Sequence, residues 1–197
     1  NATWMDYNRA GVPLIEIVSE PDMSSPDEAR EYVETLASTL RFLGVSDCIM
    51  AQGSMRVDVN INMIDEESGK KTAISEIKNI NSIKAIENAL EFEEKRHREL
   101  LENGESGIKE TRRWDDEKLQ TIHMRDKLLG NDYRFSIEGD IPEIELDDNF
   151  INNLKDNLPE LPNKKEKRYT EKFSLSEYDA TLLANDRNLA ELFEKTN

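Results

Sequence analysis

The chain has 197 residues, of which 37% are hydrophobic and 35% charged, enough for one sizeable domain plus a smaller one under a heavily solvated surface. A formal net charge of -16 argues against broad electrostatic capture of nucleic acid, and no apolar run approaches the length of a membrane span. Cys48 is the single cysteine, which excludes an intrachain disulfide and points to a reducing, cytoplasmic setting.

The chain opens on Asn1-Ala2, a pair resembling the remnant of a cleaved purification tag, and enters a motif at once; we expect an excised piece that starts partway through a domain. Residues 12–18, apolar and β-branched except for Glu16, predict a buried strand. A helix follows, with Ser25 as N-cap, Pro26 at the first position and Glu28 closing a capping box. Ala29, Val33, Leu36, Leu40 and Leu43 recur at helical spacing, and Gly44 suits the left-handed stop.

Residues 55–63 alternate strictly, with Met55, Val57, Val59, Ile61 and Met63 on one face and Arg56, Asp58, Asn60 and Asn62 on the other. A polar turn at 66–69 leads to a second strand over 72–78, which predicts an antiparallel hairpin. Ser82 caps a long helix through about Glu102, its buried side carrying Ile83, Ile86, Leu90, His97 and Leu101, with Gly104 beyond it. Strands over 108–114 and 121–125 follow, joined by the turn 115–117.

From about Asp147 the pattern changes to short helices: a stripe of Phe150, Ile151, Leu154 and Leu158 ended by Pro159 and Pro162, a Lys/Arg-rich helix, a helix capped by Ser176, and a last one with Leu189, Leu192 and Phe193. This ordering predicts an α+β fold with a mainly antiparallel sheet over 1–146 and a small all-helical region over 147–197. Residues 148–197 hold ten acidic and eight basic side chains, so most of the negative charge precedes them. The tail is the surface less repulsive to a polyanion.

Several polar residues stand where chemistry is possible. Glu16, alone in an apolar strand, is either paired structurally, facing water at a sheet edge, or bound to metal. Arg56, Asp58 and Asn60 share a strand face, which reads either as a solvated outer face or as hard oxygen donors and a phosphate-binding fork. Glu76 and Lys78 repeat that spacing on the next strand, as an exposed ion pair or as part of the same site. Arg112, Arg113, Arg125 and Arg134 supply further cations. His97 reads as a packed residue and His123 as a lone histidine, and no Walker loop, dinucleotide fingerprint or zinc spacing is present.

Together these segments resemble one family. Asp6-Tyr-Asn-Arg-Ala-Gly-Val-Pro-Leu-Ile-Glu-Ile-Val-Ser-Glu-Pro-Asp22 is similar to the signature block of the B subunit of glutamyl/aspartyl-tRNA amidotransferases. Gly53-Ser-Met-Arg-Val-Asp-Val-Asn60, Glu76-Ile-Lys-Asn-Ile-Asn-Ser82, Glu110-Thr-Arg-Arg-Trp-Asp115, Met124-Arg125, Asp132-Tyr-Arg-Phe135, Leu158-Pro-Glu-Leu-Pro162 and Leu175-Ser-Glu-Tyr-Asp-Ala180 follow in the family's order. The resemblance implies an incomplete glutamine synthetase-like cradle. That cradle would phosphorylate, with ATP and Mg2+, the side-chain carboxylate of Glu on tRNA(Gln) or Asp on tRNA(Asn). Ammonia from the A subunit would then form the amide, with a C subunit holding the pair together.

It further implies metal positions at Glu16 and Asp58, catalytic roles for Glu16, Asp58, Glu76 and Lys78, and nucleotide contacts from Arg56, Arg125 and Arg134. Ala51 and Gln52 stand where many members carry two acidic residues, and Phe135-Ser-Ile-Glu138 departs from the family's run after Arg134. Upstream metal ligands and a tail domain implied by the family are not in the sequence, so the chain alone is expected to be inactive. Two other readings are a non-catalytic scaffold that binds tRNA or partner subunits, and a stand-alone ligase acting on a free amino acid.

Overall fold

The computed structural model describes residues 3–8, 11–126 and 140–196. Among these, four strands and six α-helices form an α+β arrangement.

Helix α1, Pro26–Phe42, begins where the sequence predicts: Ser25 Oγ accepts the Glu28 N–H at 3.2 Å. The reciprocal bond comes from one residue earlier, the Ser24 N–H donating to Glu28 Oε2 at 2.6 Å. Gly44, at φ 71, closes the helix as its N–H and that of Val45 return to the Arg41 and Leu40 carbonyls. After a short turn over Met50–Gln52, strand β1 spans Val57–Ile61 and strand β2 spans Ser75–Ile80. Helix α2, Ile83–Glu102, starts at Ser82, whose Oγ accepts the Ala85 N–H at 3.1 Å. Strands β3, Glu110–Asp115, and β4, Gln120–Asp126, complete the sheet.

The strands lie in the order β1-β2-β3-β4. The β1/β2 and β3/β4 pairs are antiparallel, and β2/β3 is parallel with α2 as its crossover, so the sheet is mixed although antiparallel pairing dominates. Helix α2 covers one face of the sheet. Ile77, Ile80, Ala85, Ile86, Ala89, Leu90 and Trp114 form the core there, with Val33 of α1 against them.

Residues 12–18 correct an expectation. They form no strand among the described residues, and Leu14, Ile15 and Val18 are 91%, 67% and 82% exposed, with Trp4 also open to solvent. β-propensity and apolarity fit a segment for a sheet, but a ladder also needs a neighbour whose N–H and C=O groups pair with it, and among the described residues none stands beside this one.

Helix α3, Asp148–Asp156, has no buried residue. Helices α4, Pro162–Phe173, α5, Glu177–Asn185, and α6, Arg187–Thr196, gather around buried Tyr169, Ala180 and Ala184. Tyr169, Phe173 and Phe193 meet edge-to-face, with ring centroids 5.0 to 6.0 Å apart. Glu194 ties α6 to α4 by accepting from Lys165 Nζ at 2.6 Å and Tyr169 Oη at 2.7 Å, and from Arg168. Among the described residues no helix is long and apolar enough to cross a membrane.

Candidate functional site

The sheet face turned away from α2 carries two polar rows running across the strands. In one row the register sets Asn60 beside Glu76, Glu76 beside Thr111 and Thr111 beside Arg125. In the other, Lys78 stands beside Arg113 on β3 and opposes Asp58 on β1. With strands about 4.8 Å apart, the first row spans roughly 14 Å.

Lys78 is the hub. Its Nζ lies 2.6 Å from Asp58 Oδ2 and 3.1 Å from Glu76 Oε1. Burial works against this ammonium, but the hydrogen bonds to Asp58 and Glu76 outweigh it and hold its pKa above the ordinary lysine value. Thr111 Oγ1 donates to the other Glu76 oxygen at 3.0 Å, which fixes the carboxylate plane. Arg113, half exposed, pairs with Asp115 at 3.5 Å. Arg125 is exposed at the far end of its row.

The predicted residues therefore separate into groups. Asp58, Glu76 and Lys78 meet directly, and Arg125 shares their face. Arg56 precedes β1 and is exposed, while Glu16 lies on the unpaired segment and shares no hydrogen bond or ion pair with the cluster among the described residues. Arg134, the 132–135 motif and the Asn1-Ala2 pair lie outside the described residues. Thr111 and Arg113 belong to the rows on geometry, and sequence reasoning gave Thr111 no role at all. The missing signal was the parallel β2/β3 register, which no local pattern reveals.

As a donor set, Asp58 and Glu76 offer hard carboxylate oxygens from two adjacent strands around a point already filled by a cation, the Lys78 ammonium, with Asn60 in register beside Glu76. That chemistry suits Mg2+ when nucleotide phosphates and water supply the remaining ligands. Among the described residues no group of three or more His, Cys, Asp or Glu side chains forms a metal site on its own.

On the face of the sheet covered by α2 lies a second charged cluster, with Glu93 and Glu110 buried and Arg96 and Arg112 partly buried. Glu93 of α2 is fully buried; it accepts from Arg96 Nη2 at 2.6 Å and from Thr121, and its carboxylate lies 3.0 Å from Arg112 Nε, whose N–H donates to Thr121 Oγ1. Glu110 accepts from Arg112 Nη1 at 3.0 Å and forms an ion pair with Arg96 Nη1 at 3.1 Å, so two carboxylates and two guanidiniums form a ring. His123 Nδ1 lies 2.7 Å from Glu110. His97, packed as expected, sits 2.6 Å from Thr72 Oγ1 and 3.1 Å from Ser75 Oγ. Burial would raise the Glu93 pKa, but hydrogen bonds from His97, Arg96 and Thr121 and the arginine charge carry it down to about 2. This ring, which takes Arg112 out of the set of cations available to a ligand, fastens α2 to β3 and β4.

The family model described as "GatB/GatE catalytic domain" matches residues 1–152. The B subunit of the aspartyl/glutamyl-tRNA(Asn/Gln) amidotransferase of Finegoldia magna is 54% identical over 193 residues, covering 98% of this chain and 41% of that protein. The first of the correspondingly named B subunits of Clostridium acetobutylicum is 47% identical over 98% of the chain and 41% of its own length. The B subunit of the Leptospira biflexa amidotransferase is 45% identical over 99% of the chain and 40% of its own length. The chain thus spans about two-fifths of the curated relatives it matches.

Proposed function

The chain belongs to the GatB/GatE catalytic-domain family, and from that premise we propose that it is part of the B subunit of a tRNA-dependent amidotransferase acting in the cytoplasm. In this reading the subunit transfers the γ-phosphate of ATP to the side-chain carboxylate of Glu on tRNA(Gln) or Asp on tRNA(Asn). Ammonia delivered from the A subunit then displaces phosphate to give the amide, with the C subunit joining A to B. With only two-fifths of the relatives' length, the chain by itself is expected not to complete the reaction.

Phosphoryl transfer to a carboxylate is mostly positioning and charge neutralisation, and the observation that supports it here is the pair of polar rows on the sheet face turned away from α2. Lys78 and Arg125, with Arg113 between them, supply cations along one surface where phosphate oxygens would lie, and Arg56 and Arg134 are proposed to extend that surface. Asp58 and Glu76 are the oxygen donors, and Glu16 is proposed as a further carboxylate to the same metal. Mg2+, when bound, neutralises phosphate oxygens of the nucleotide. Thr111 keeps Glu76 aimed by its hydrogen bond.

The closed Asp58–Lys78–Glu76 triad favours a second reading, in which these charges are structural and the chain is a scaffold for tRNA or its partner subunits. One experiment separates the two. In the full-length protein assembled with its partners, Asp58→Asn should abolish ATP-dependent conversion of Glu-tRNA(Gln) with ammonium as nitrogen source, while tRNA binding persists. Retained conversion in that variant would leave the scaffold reading.

A further inference from the structure

Lys78 owes its place to one extra residue in β2. Val59 pairs with Ile77 and Val57 with Ile80, so Lys78 and Asn79 together lie opposite Asp58 alone. This is a β-bulge. Asn79 adopts φ 63, a left-handed backbone that asparagine tolerates better than other residues with a Cβ. Its Nδ2 donates to the Trp114 carbonyl at 3.3 Å, which ties the bulge to β3.

The packing shows what the extra residue achieves. Ile77 and Ile80 are both in the core, 0% and 6% exposed, although they are three apart. A regular strand alternates faces and would bury only one of them. With the bulge, both isoleucines point to α2 and Lys78 still points away from it, towards Asp58 and Glu76. If the bulge is removed, the register slips by one residue on one side of it. Either Ile80 leaves the core or Lys78 turns away from Asp58.

We infer that Asn79 is a positioning residue whose left-handed backbone delivers the Lys78 ammonium to the point between Asp58 and Glu76. The catalytic consequence rests on the function proposed above; the placement of Lys78 does not.

The test uses the full-length protein assembled with its partners, carrying Asn79→Gly, Asn79→Ala or Asn79→Val. Two quantities are read: the rate at which Lys78 is acylated by a water-soluble amine reagent, followed by mass spectrometry, and kcat and KM for ATP-dependent amidation. Glycine enters the left-handed region freely, so Asn79→Gly stays within about twofold of wild type in both. Valine resists it, so Asn79→Val acylates faster at Lys78 and loses about tenfold in kcat, with KM for ATP unchanged. Asn79→Ala falls between them and carries the test if the valine variant does not assemble.

Wild-type acylation of Lys78 in the alanine and valine variants would overturn the inference, as would a glycine variant as impaired as valine. Faster acylation with unchanged kcat would support the placement by Asn79 and instead overturn the role of Lys78 in the proposed reaction.

Discussion

Glu93→Gln is the most exposing single change to the fold. Glu93 is fully buried at the centre of the ring with Arg96, Arg112 and Glu110, and glutamine keeps its size while removing its charge. A carboxyl held at about 2 against an ordinary 4.5 favours its ionised form by about 3 kcal/mol. The variant leaves Arg96 and Arg112 sharing only Glu110, an unbalanced buried charge, and such losses run at about 3–5 kcal/mol. We therefore expect urea unfolding of the chain to report a loss of about 3 kcal/mol at neutral pH, with an unchanged denaturant slope.

The pH dependence has a definite sign. Because the folded pKa of Glu93 is depressed, its contribution is complete above the unfolded value near 4.5 and fades as pH falls towards about 2. Glu93→Gln should flatten that acid limb. Pairing it with Arg112→Met should cost less than the two single changes added, by about 0.5–3 kcal/mol, because the second change removes the orphaned charge. A loss below about 1 kcal/mol for Glu93→Gln, or strict additivity of the double variant, would refute the ring as a cooperative unit.

Other outcomes follow from separate parts of the molecule. Ser82→Ala removes the bond to the Ala85 N–H at the start of α2 and should cost about 1 kcal/mol in the same unfolding assay. Ile77→Ala opens a cavity in the core and should cost about 2–5 kcal/mol, whereas Ile15→Ser, at an exposed apolar position, should stay within about 0.5 kcal/mol. Glu194→Gln takes away the carboxylate that accepts from Tyr169, so ultraviolet titration should find Tyr169 ionising at lower pH than in the parent chain, where burial and that carboxylate hold it up.

How much of this was legible depended on whether the signal was local. The caps at Ser25, Ser82 and Ser176 each combine a short polar side chain with a helical stripe beginning beside it, and all three stand where they were expected. The alternation over 55–63 correctly placed Asp58 opposite the core face of β1. The Asn79 bulge does leave a trace: Ile77 and Ile80 are three apart, an odd spacing that a regular strand would put on opposite faces. Glu93 left one as well, since it falls on the stripe of Ile86, Leu90 and His97, all turned inward. The row through Thr111 and Arg125 had no local trace, because a parallel register is set by the crossover helix between two strands. Residues 12–18 failed in the opposite direction, having strand composition without a neighbouring strand among the described residues.

The burial of Trp114 has a practical corollary. The chain holds two tryptophans, one 1% exposed against α2 with its indole N–H on Asp116, the other, Trp4, 94% exposed. Their fluorescence should divide into a short-wavelength component shielded from aqueous quenchers and a long-wavelength one that is not. The molecule thereby contains its own optical gauge: loss of the shielded component marks the sheet opening, while the Trp4 signal stays as an internal reference.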